Sequence, residues 1–196
     1  MNILFIHQNF PGQFKFLAPA LRNLGHDVHA MIMKPEAPRE WKGVIIHPYQ
    51  PARTTSKEIH PWLQDTEAKT IRAEACFKAA LKLKKSGFSP DVIIAHSGWG
   101  EALFLKNIWP STKLGIYSEF YYRMTGQDMG FDPEFPIEDE SESCRIFLKN
   151  INNELHFPIA DAGISPTKWQ ASTFPESFRS KISVIHDGID TKALSP

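Results

Sequence analysis

Short apolar runs alternate along the chain with stretches of helical period, and most of the runs end in polar or glycine-containing residues. Asn2–His7 carries Ile3, Leu4, Phe5 and Ile6 in unbroken succession. A strand covered on both faces loses polar alternation, so this run predicts a parallel sheet with helices on either side. Asn9-Phe10-Pro11-Gly12 reads as a loop. Gln13–Leu24 then places Phe14, Leu17, Leu21 and Leu24 three and four apart, on one face of a helix. Gly25 is placed to end it. Asp27–Met33 is the second strand, with Val28, Ala30 and Ile32 on one side. Strand, loop, helix, Gly-His and strand make a βαβ opening.

The alternation continues. Lys34–Trp41, rich in proline and charge, reads as a loop, Val44–His47 as a short strand, and Pro48–Pro61 as a long irregular connection. Trp62–Lys85 predicts a helix with Ile71, Ala75, Ala79 and Leu83 on one face. Its last turns carry Lys82, Lys84 and Lys85, which suit the negative end of the helix dipole. Gly87 and Pro90 end it. Asp91–Ala95 is a strand, His96-Ser97-Gly98 a polar turn, Trp99–Asn107 a short helix and Lys113–Tyr117 a strand. Ser118–Glu138 is irregular and longer than an ordinary connection, and loops of that kind are commonly functional. Its Phe120, Tyr121, Tyr122, Phe131 and Phe135 argue for order. Asp139–Leu155 is a helix with an acidic start, and Ala160–Ser165 a strand. Thr167–Phe174 is a helix led by Ser165-Pro166 as cap and first turn. Ile182–Ile185 is the last strand and Asp187-Gly188-Ile189-Asp190 a tight turn. The expected fold class is α/β: a Rossmann-like three-layer α/β/α sandwich with a mostly parallel sheet. The expected domain runs from residue 1 to 186, with 187–196 beginning a linker. The chain ends after a strand and a turn with no closing helix, a pattern expected of a truncated domain.

Composition narrows the class. The 196 residues are 42% hydrophobic and 22% charged, as in a globular domain. A formal net charge of zero argues against nonspecific nucleic-acid binding. Cys76 and Cys144 lie in helix-like segments without CxxC spacing, so both are expected as buried free thiols in a reducing compartment. The start of the chain is too short for a signal peptide, and no run approaches the 18 apolar residues of a membrane span. A cytoplasmic protein is expected.

In an open α/β sheet, ligands bind beyond the carboxyl ends of the strands. The candidate site residues sit there. Gly12 and Gln13 follow the first strand, where glycine lets the backbone approach a ligand and a helix N-terminus offers free N–H groups to an anion. Gly12 equally serves to shape a turn. A GxGxxG fingerprint is absent. His96, with Ser97 beside it, either acts on a sugar hydroxyl or caps the next helix. His7 shares that strand-end setting. Glu119 either accepts a proton from an acceptor hydroxyl or pairs with Arg123. Tyr121, Tyr122 and Arg123 combine flat rings with hydrogen-bonding groups, which suits a sugar or a protein contact. His7, His47, His60, His96, His156 and His186 lack zinc spacing. The pairing of Asp128 with Asp132 lacks the further ligands of a calcium loop. No metal site is expected. Neither a GxSxG elbow nor a GxxxxGK-S/T phosphate loop occurs.

Four stretches carry a family resemblance. Asn2–Ile6, Phe10-Pro11-Gly12-Gln13-Phe14 and the Leu17–His29 segment form the first. Pro90–His96, Asp161–Thr167 and Ile182–Thr191 are the others, the last with its His186-Asp187-Gly188-Ile189-Asp190 exit. Together they resemble the N-terminal domain of family 4 glycosyltransferases, retaining enzymes of the two-lobed GT-B fold. Tyr117–Tyr122 and the segment from Gly126 to Pro136 resemble a bacterial subgroup. The family histidine that commonly follows the Lys113–Tyr117 strand is replaced here by Ser118-Glu119-Phe120.

The resemblance implies an acceptor-side domain, with a sugar or lipid-linked glycan acceptor held against it. It implies a nucleotide-sugar donor, used as substrate and held mainly by a C-terminal donor-binding domain that this chain does not contain. No cofactor and no metal are implied. Family habit adds a peripheral membrane contact. Glu119 and His96 are the expected catalytic groups. Gly12, Gln13, His7, Ser97, Tyr121, Tyr122 and Arg123 are the expected substrate-binding ones. Two other readings fit the same pattern. One is a carbohydrate- or nucleotide-binding module without chemistry. The other is a Rossmann-like epimerase or synthase, which fits the Asp-Gly-Ile-Asp exit less well.

Overall fold

The unbroken apolar run at the start of the chain becomes a central strand, β1 (Asn2–Ile6). Its Ile3 and Phe5 point to one face of the sheet and Leu4 and Ile6 to the other, each at most 2% exposed. The computed structural model describes residues 1–127, 129–137 and 139–194. Asp128, and the expected ends of loop and linker at Glu138 and Pro196, lie outside the described residues.

The strands that follow are β2 (Asp27–Ile32), β3 (Glu40–Trp41), β4 (Val44–Pro48), β5 (Val92–His96), β6 (Lys113–Tyr117), β7 (Ala162–Ser165) and β8 (Ile182–Val184). They form one sheet in the order β3-β4-β2-β1-β5-β6-β7-β8. Every pairing is parallel except that of β3 with β4. The helices are α1 (Leu17–Asn23), α2 (Gln64–Lys85), α3 (Leu105–Ile108), α4 (Glu142–Lys149), α5 (Ile151–His156), α6 (Lys168–Thr173) and α7 (Glu176–Arg179). Two cores result. On one face Leu4, Ile6, Ile93 and Ile116 meet Cys76 and Leu83 of α2 and Leu105 and Ile108 of α3. On the other, Ile3, Phe5, Val28 and Val44 meet Phe10, Phe14 and Ala18. This is the Rossmann-like three-layer sandwich that the sequence predicts.

Local differences from the expected elements have local causes. The helix expected from Gln13 is a 3-10 turn, Gly12–Phe14, followed by α1. The tighter turn breaks the 3.6-residue period, so Phe14 and Ala18 are buried while Leu17 and Leu24 are 39% and 73% exposed. The expected Trp99–Asn107 helix shrinks to α3. Gly100 stops it with φ of +90°, and a Cβ there would lie 2.9 Å from the Lys69 carbonyl oxygen, so glycine alone permits this approach to α2. The expected Asp139–Leu155 helix is divided into α4 and α5 at Asn150, whose side chain bonds both backbone groups of Tyr122. The cap of α6 is Thr167 itself, whose Oγ1 accepts the Gln170 N–H at 3.1 Å, and not Ser165-Pro166. Cys76 is buried and free as expected, but Cys144 is exposed, because α4 turns that position outward. β3 lies inside the expected Lys34–Trp41 loop, and α7 is an element that the periodicity does not announce.

Phe5 is fully buried with the rings of Phe14 and Phe10 at 4.9 and 6.1 Å. Phe5→Ala is expected to lower the unfolding free energy by about 3–5 kcal/mol, measured by urea denaturation. His156 is fully buried, its Nδ1 2.7 Å from the Asn152 carbonyl oxygen, and burial lowers its pKa to about 4. In the unfolded chain it binds a proton near pH 6.5, before the folded form does. Its contribution is therefore complete above pH 6.5 and is lost as pH falls toward 4, on the order of 3 kcal/mol. Urea titrations between pH 7 and 4.5 should show that slope, and His156→Gln should flatten it.

Candidate functional site

The strand order fixes where a cleft opens. From β1 the chain proceeds outward through β2 and β4, then crosses back to β5 on the other side of β1. The connections leaving the carboxyl ends of β1 and β5 therefore diverge, and the gap between them is the binding crevice of such sheets. His7 follows β1, His96 ends β5 and Glu119 lies just beyond β6. Register pairing sets His96 beside Tyr117, the last residue of β6. Three residues remote in sequence thus converge because three adjacent strands end together.

Both nitrogens of His96 are assigned by their partners. Nδ1 accepts the Gly98 N–H at 3.1 Å. Nε2 therefore carries the proton and donates it to Glu119 Oε2 at 2.9 Å. A Cβ at position 98 would come 2.9 Å from the ring, so Gly98 is what lets the backbone turn over the imidazole. His96 stacks on Tyr117 with ring centroids 5.4 Å apart, and the edge of His7 meets it at 5.5 Å. The Tyr117 hydroxyl donates to the Asp187 carboxylate, at 2.8 Å from Oδ2. The Asp-Gly-Ile-Asp exit is thereby tied to the floor of the crevice.

Electrostatics separate the two histidines from the carboxylate. Burial, aided by the neighbouring His96, lowers the His7 pKa to about 4. His7 is neutral at neutral pH. The hydrogen bond from His96 holds Glu119 below the usual carboxylate range, against the effect of its burial. Glu119 is an ionised acceptor, and its side chain remains 47% exposed to an incoming group.

Other candidates divide. Gly12, at φ of +46°, passes directly over His7, where a Cβ would lie 2.5 Å from Cε1. Gln13 sits beside the same imidazole and favours its charged form. Ser97 is buried, and its hydroxyl lies 3.4 Å from both the Tyr117 carbonyl oxygen and Asn153 Oδ1. Tyr122 lines a cavity of about 120 Å³ together with His96, Ser97, Trp99 and Glu119. Tyr121 does not join them. Its hydroxyl reaches Glu154 at 2.6 Å and its ring packs on Phe157 and Phe174. Arg123 donates to the Ser172 carbonyl at 3.2 Å, so the Glu119 partner is His96 rather than Arg123.

Several groups at the site escape a reading of the sequence. Asn150 and Asn153 bind the backbone of Tyr122 and Phe120, and Asn152 donates to the Ser97 carbonyl. Asn150 and Asn153 thus hold the segment after β6 against α5, and Asn152 holds the turn after β5. Lys69 and Lys149 line the cavity with Asn152 and Asn153. A signal existed for Lys69, because it stands seven and fourteen residues before the buried Cys76 and Leu83, on the inward face of α2. A second was the Asn152-Asn153 doublet next to an apolar face. Among the described residues no cluster of three or more His, Cys, Asp or Glu is placed to hold a metal ion. Nor is any helix among them long and apolar enough to cross a membrane.

Solved structures share this fold. The catalytic domain of starch synthase IV from Arabidopsis thaliana aligns over 100% of this chain and 53% of its own, at 15% identity and a TM-score of 0.59. Sucrose-phosphate synthase from Thermosynechococcus elongatus aligns over 99% of this chain and 93% of the solved chain, at 16% identity and a TM-score of 0.58. The UDP-GlcNAc 2-epimerase from Neisseria meningitidis aligns at 13% identity and a TM-score of 0.44, over 94% of this chain, which spans 45% of the epimerase. The first two likenesses concern the fold alone. No curated protein matches the chain. The family profile described as the glycosyl transferase family 4 group matches residues 24–194. With the parallel sheet of one GT-B half already in place, the match means that this chain belongs to glycosyl transferase family 4.

Proposed function

We propose that the chain is the acceptor-side domain of a retaining glycosyltransferase, which moves a sugar from a nucleotide-sugar onto a glycan or lipid-linked acceptor. The observation that carries this reading is the convergence of His7, His96 and Glu119 at the carboxyl edge of β1, β5 and β6. The crevice offers a carboxylate that is ionised and half exposed, oriented by an imidazole whose other nitrogen is fixed to the backbone.

In the proposed reaction, an acceptor hydroxyl donates a hydrogen bond to Glu119. Its oxygen bonds to the anomeric carbon of the donor as the bond to the nucleoside diphosphate breaks, and the hydroxyl proton leaves with the diphosphate. Glu119 orients the hydroxyl and places negative charge beside a carbon that becomes cationic in the transition state. His96, a donor through Nε2, keeps that carboxylate ionised and in place. Neutral His7 adds no competing positive charge. The nucleotide and the charge of the departing diphosphate fall to a second, donor-binding domain beyond residue 187, so no metal or other cofactor is required. Peripheral contact of a cytoplasmic enzyme with a membrane would serve a lipid-linked acceptor.

The test uses the gene product that contains both this domain and a donor-binding domain, in a donor and acceptor screen followed by steady-state kinetics. Glu119→Gln keeps the shape and removes the charge. It is expected to lower kcat/KM by roughly tenfold or more, about 1.4 kcal/mol in the barrier. Unchanged kinetics would remove Glu119 from the site. The 196-residue chain on its own is expected to fold but to show little or no turnover, and robust turnover by it would sink the two-domain reading.

A further inference from the structure

The cavity beside His96 and Glu119 has two ammonium groups that the reaction described above does not use. Lys69 of α2 is buried, at 7% exposure. Lys149 closes α4, its Nζ lying 4.2 Å from the centre of the Tyr122 ring. Both line the cavity of about 120 Å³ that Glu119 also lines. Neither pairs with Glu119, whose carboxylate is engaged by His96.

A buried ammonium is costly unless its donors are satisfied. Lys69 contacts Asp65 at 2.6 Å, one turn earlier in the same helix. The contacting Oδ2 is buried, and Asp65 lines an adjoining recess with Lys69, Lys149 and Asn152 rather than the cavity that Glu119 lines. An ammonium has three donors, and Asp65 is the one carboxylate paired with this one among the described residues. Most of the residues around it are polar. The Asn152 Oδ1 and the Trp99 indole N–H are both buried without a protein partner among the described residues, and both residues line the cavity. The cavity is therefore bipolar. One wall carries a carboxylate suited to a hydroxyl, and the opposite side carries two cations and the Trp99 indole donor suited to an anion, with the Asn152 oxygen left to accept from a hydroxyl.

We infer that this cavity selects an acidic acceptor, a sugar bearing a phosphate or carboxylate group that lies against Lys69 and Lys149 while its reactive hydroxyl faces Glu119. This rests on the acceptor-side reading above and deepens it. The charge separation also sets direction. An acidic group turned toward Glu119 is repelled, so such a molecule enters in one orientation. The cavity admits the acidic end and the adjoining edge of a sugar ring, with the remainder lying in the open crevice.

The experiment is a ¹H–¹⁵N NMR titration of the 196-residue chain at low ionic strength with glucose 6-phosphate, glucuronate, glucose and inorganic phosphate, each alone. One or both acidic sugars should shift the Gly98 amide, the Trp99 indole and the Asn152 and Asn153 carboxamides. The stronger of the two arms identifies phosphate or carboxylate. Glucose and inorganic phosphate should each bind at least tenfold more weakly than that sugar. Lys149→Gln should weaken the acidic sugar by about tenfold, and added salt should do the same in part. Lys69→Gln should weaken it further. If that variant fails to fold, the more exposed Lys149→Gln still decides. The inference is overturned if glucose binds as tightly as the acidic sugars, if inorganic phosphate alone does so, if Lys149→Gln leaves affinity unchanged, or if no ligand shifts these signals. Any of these leaves the transferase reading to be judged separately, by turnover of Glu119→Gln in the two-domain protein.

Discussion

Burial of β1 on both faces is the constraint from which the remaining architecture follows. A strand with Ile3, Leu4, Phe5 and Ile6 in succession has no side to give to water. Helices must cover it above and below, and parallel neighbours must flank it left and right. The chain satisfies this by building β2 and β4 on one side of β1 and β5 to β8 on the other. The reversal that results opens the crevice. The location of His7, His96 and Glu119 is in this sense a by-product of where apolar surface had to go.

Inside the crevice the governing theme is restraint of His96. Its ring is stacked on Tyr117, crossed by the edge of His7 and hydrogen-bonded at both nitrogens. A group fixed in position, tautomer and partner loses little freedom when a substrate arrives. The segment carrying Glu119 is irregular, so its order comes from elsewhere. Asn150 and Asn153 supply it through the backbone of Tyr122 and Phe120. Carboxamides are apt for this purpose because each offers both a donor and an acceptor to the two groups of a peptide.

The strands were legible in the sequence because burial leaves a mark on composition, and their ends were legible because the apolar runs stop at polar residues. β6 was read residue for residue, and the strand-end positions of His96 and Glu119 follow from where the apolar runs stop. Short elements were less legible. β3 has two residues and leaves no period. α1 begins late because the 3-10 turn over His7 consumes the residues expected to start it. The division at Asn150 depends on Tyr122, which lies 28 residues away in sequence. The misplacement of Tyr121 and Arg123 has the same origin. Neighbours in an irregular segment share no face, and what each side chain meets is set by α5 and α6 rather than by its own spacing. The Glu119–Arg123 alternative failed for that reason, while Glu119 found its partner across the sheet.

The hydroxyl of Tyr117 joins two parts of the protein with different mechanical roles. Its ring supports His96 from below, and its oxygen moors Asp187 in the segment that leaves the sheet after β8. A hydrogen bond tolerates a few tenths of an ångström before it weakens steeply. Displacing the stretch around residue 187 therefore either breaks this hydrogen bond or pulls on the ring that stacks against His96. The exit of the chain and the histidine thus have one side chain as a common neighbour, touched at its oxygen by the first and at its ring by the second.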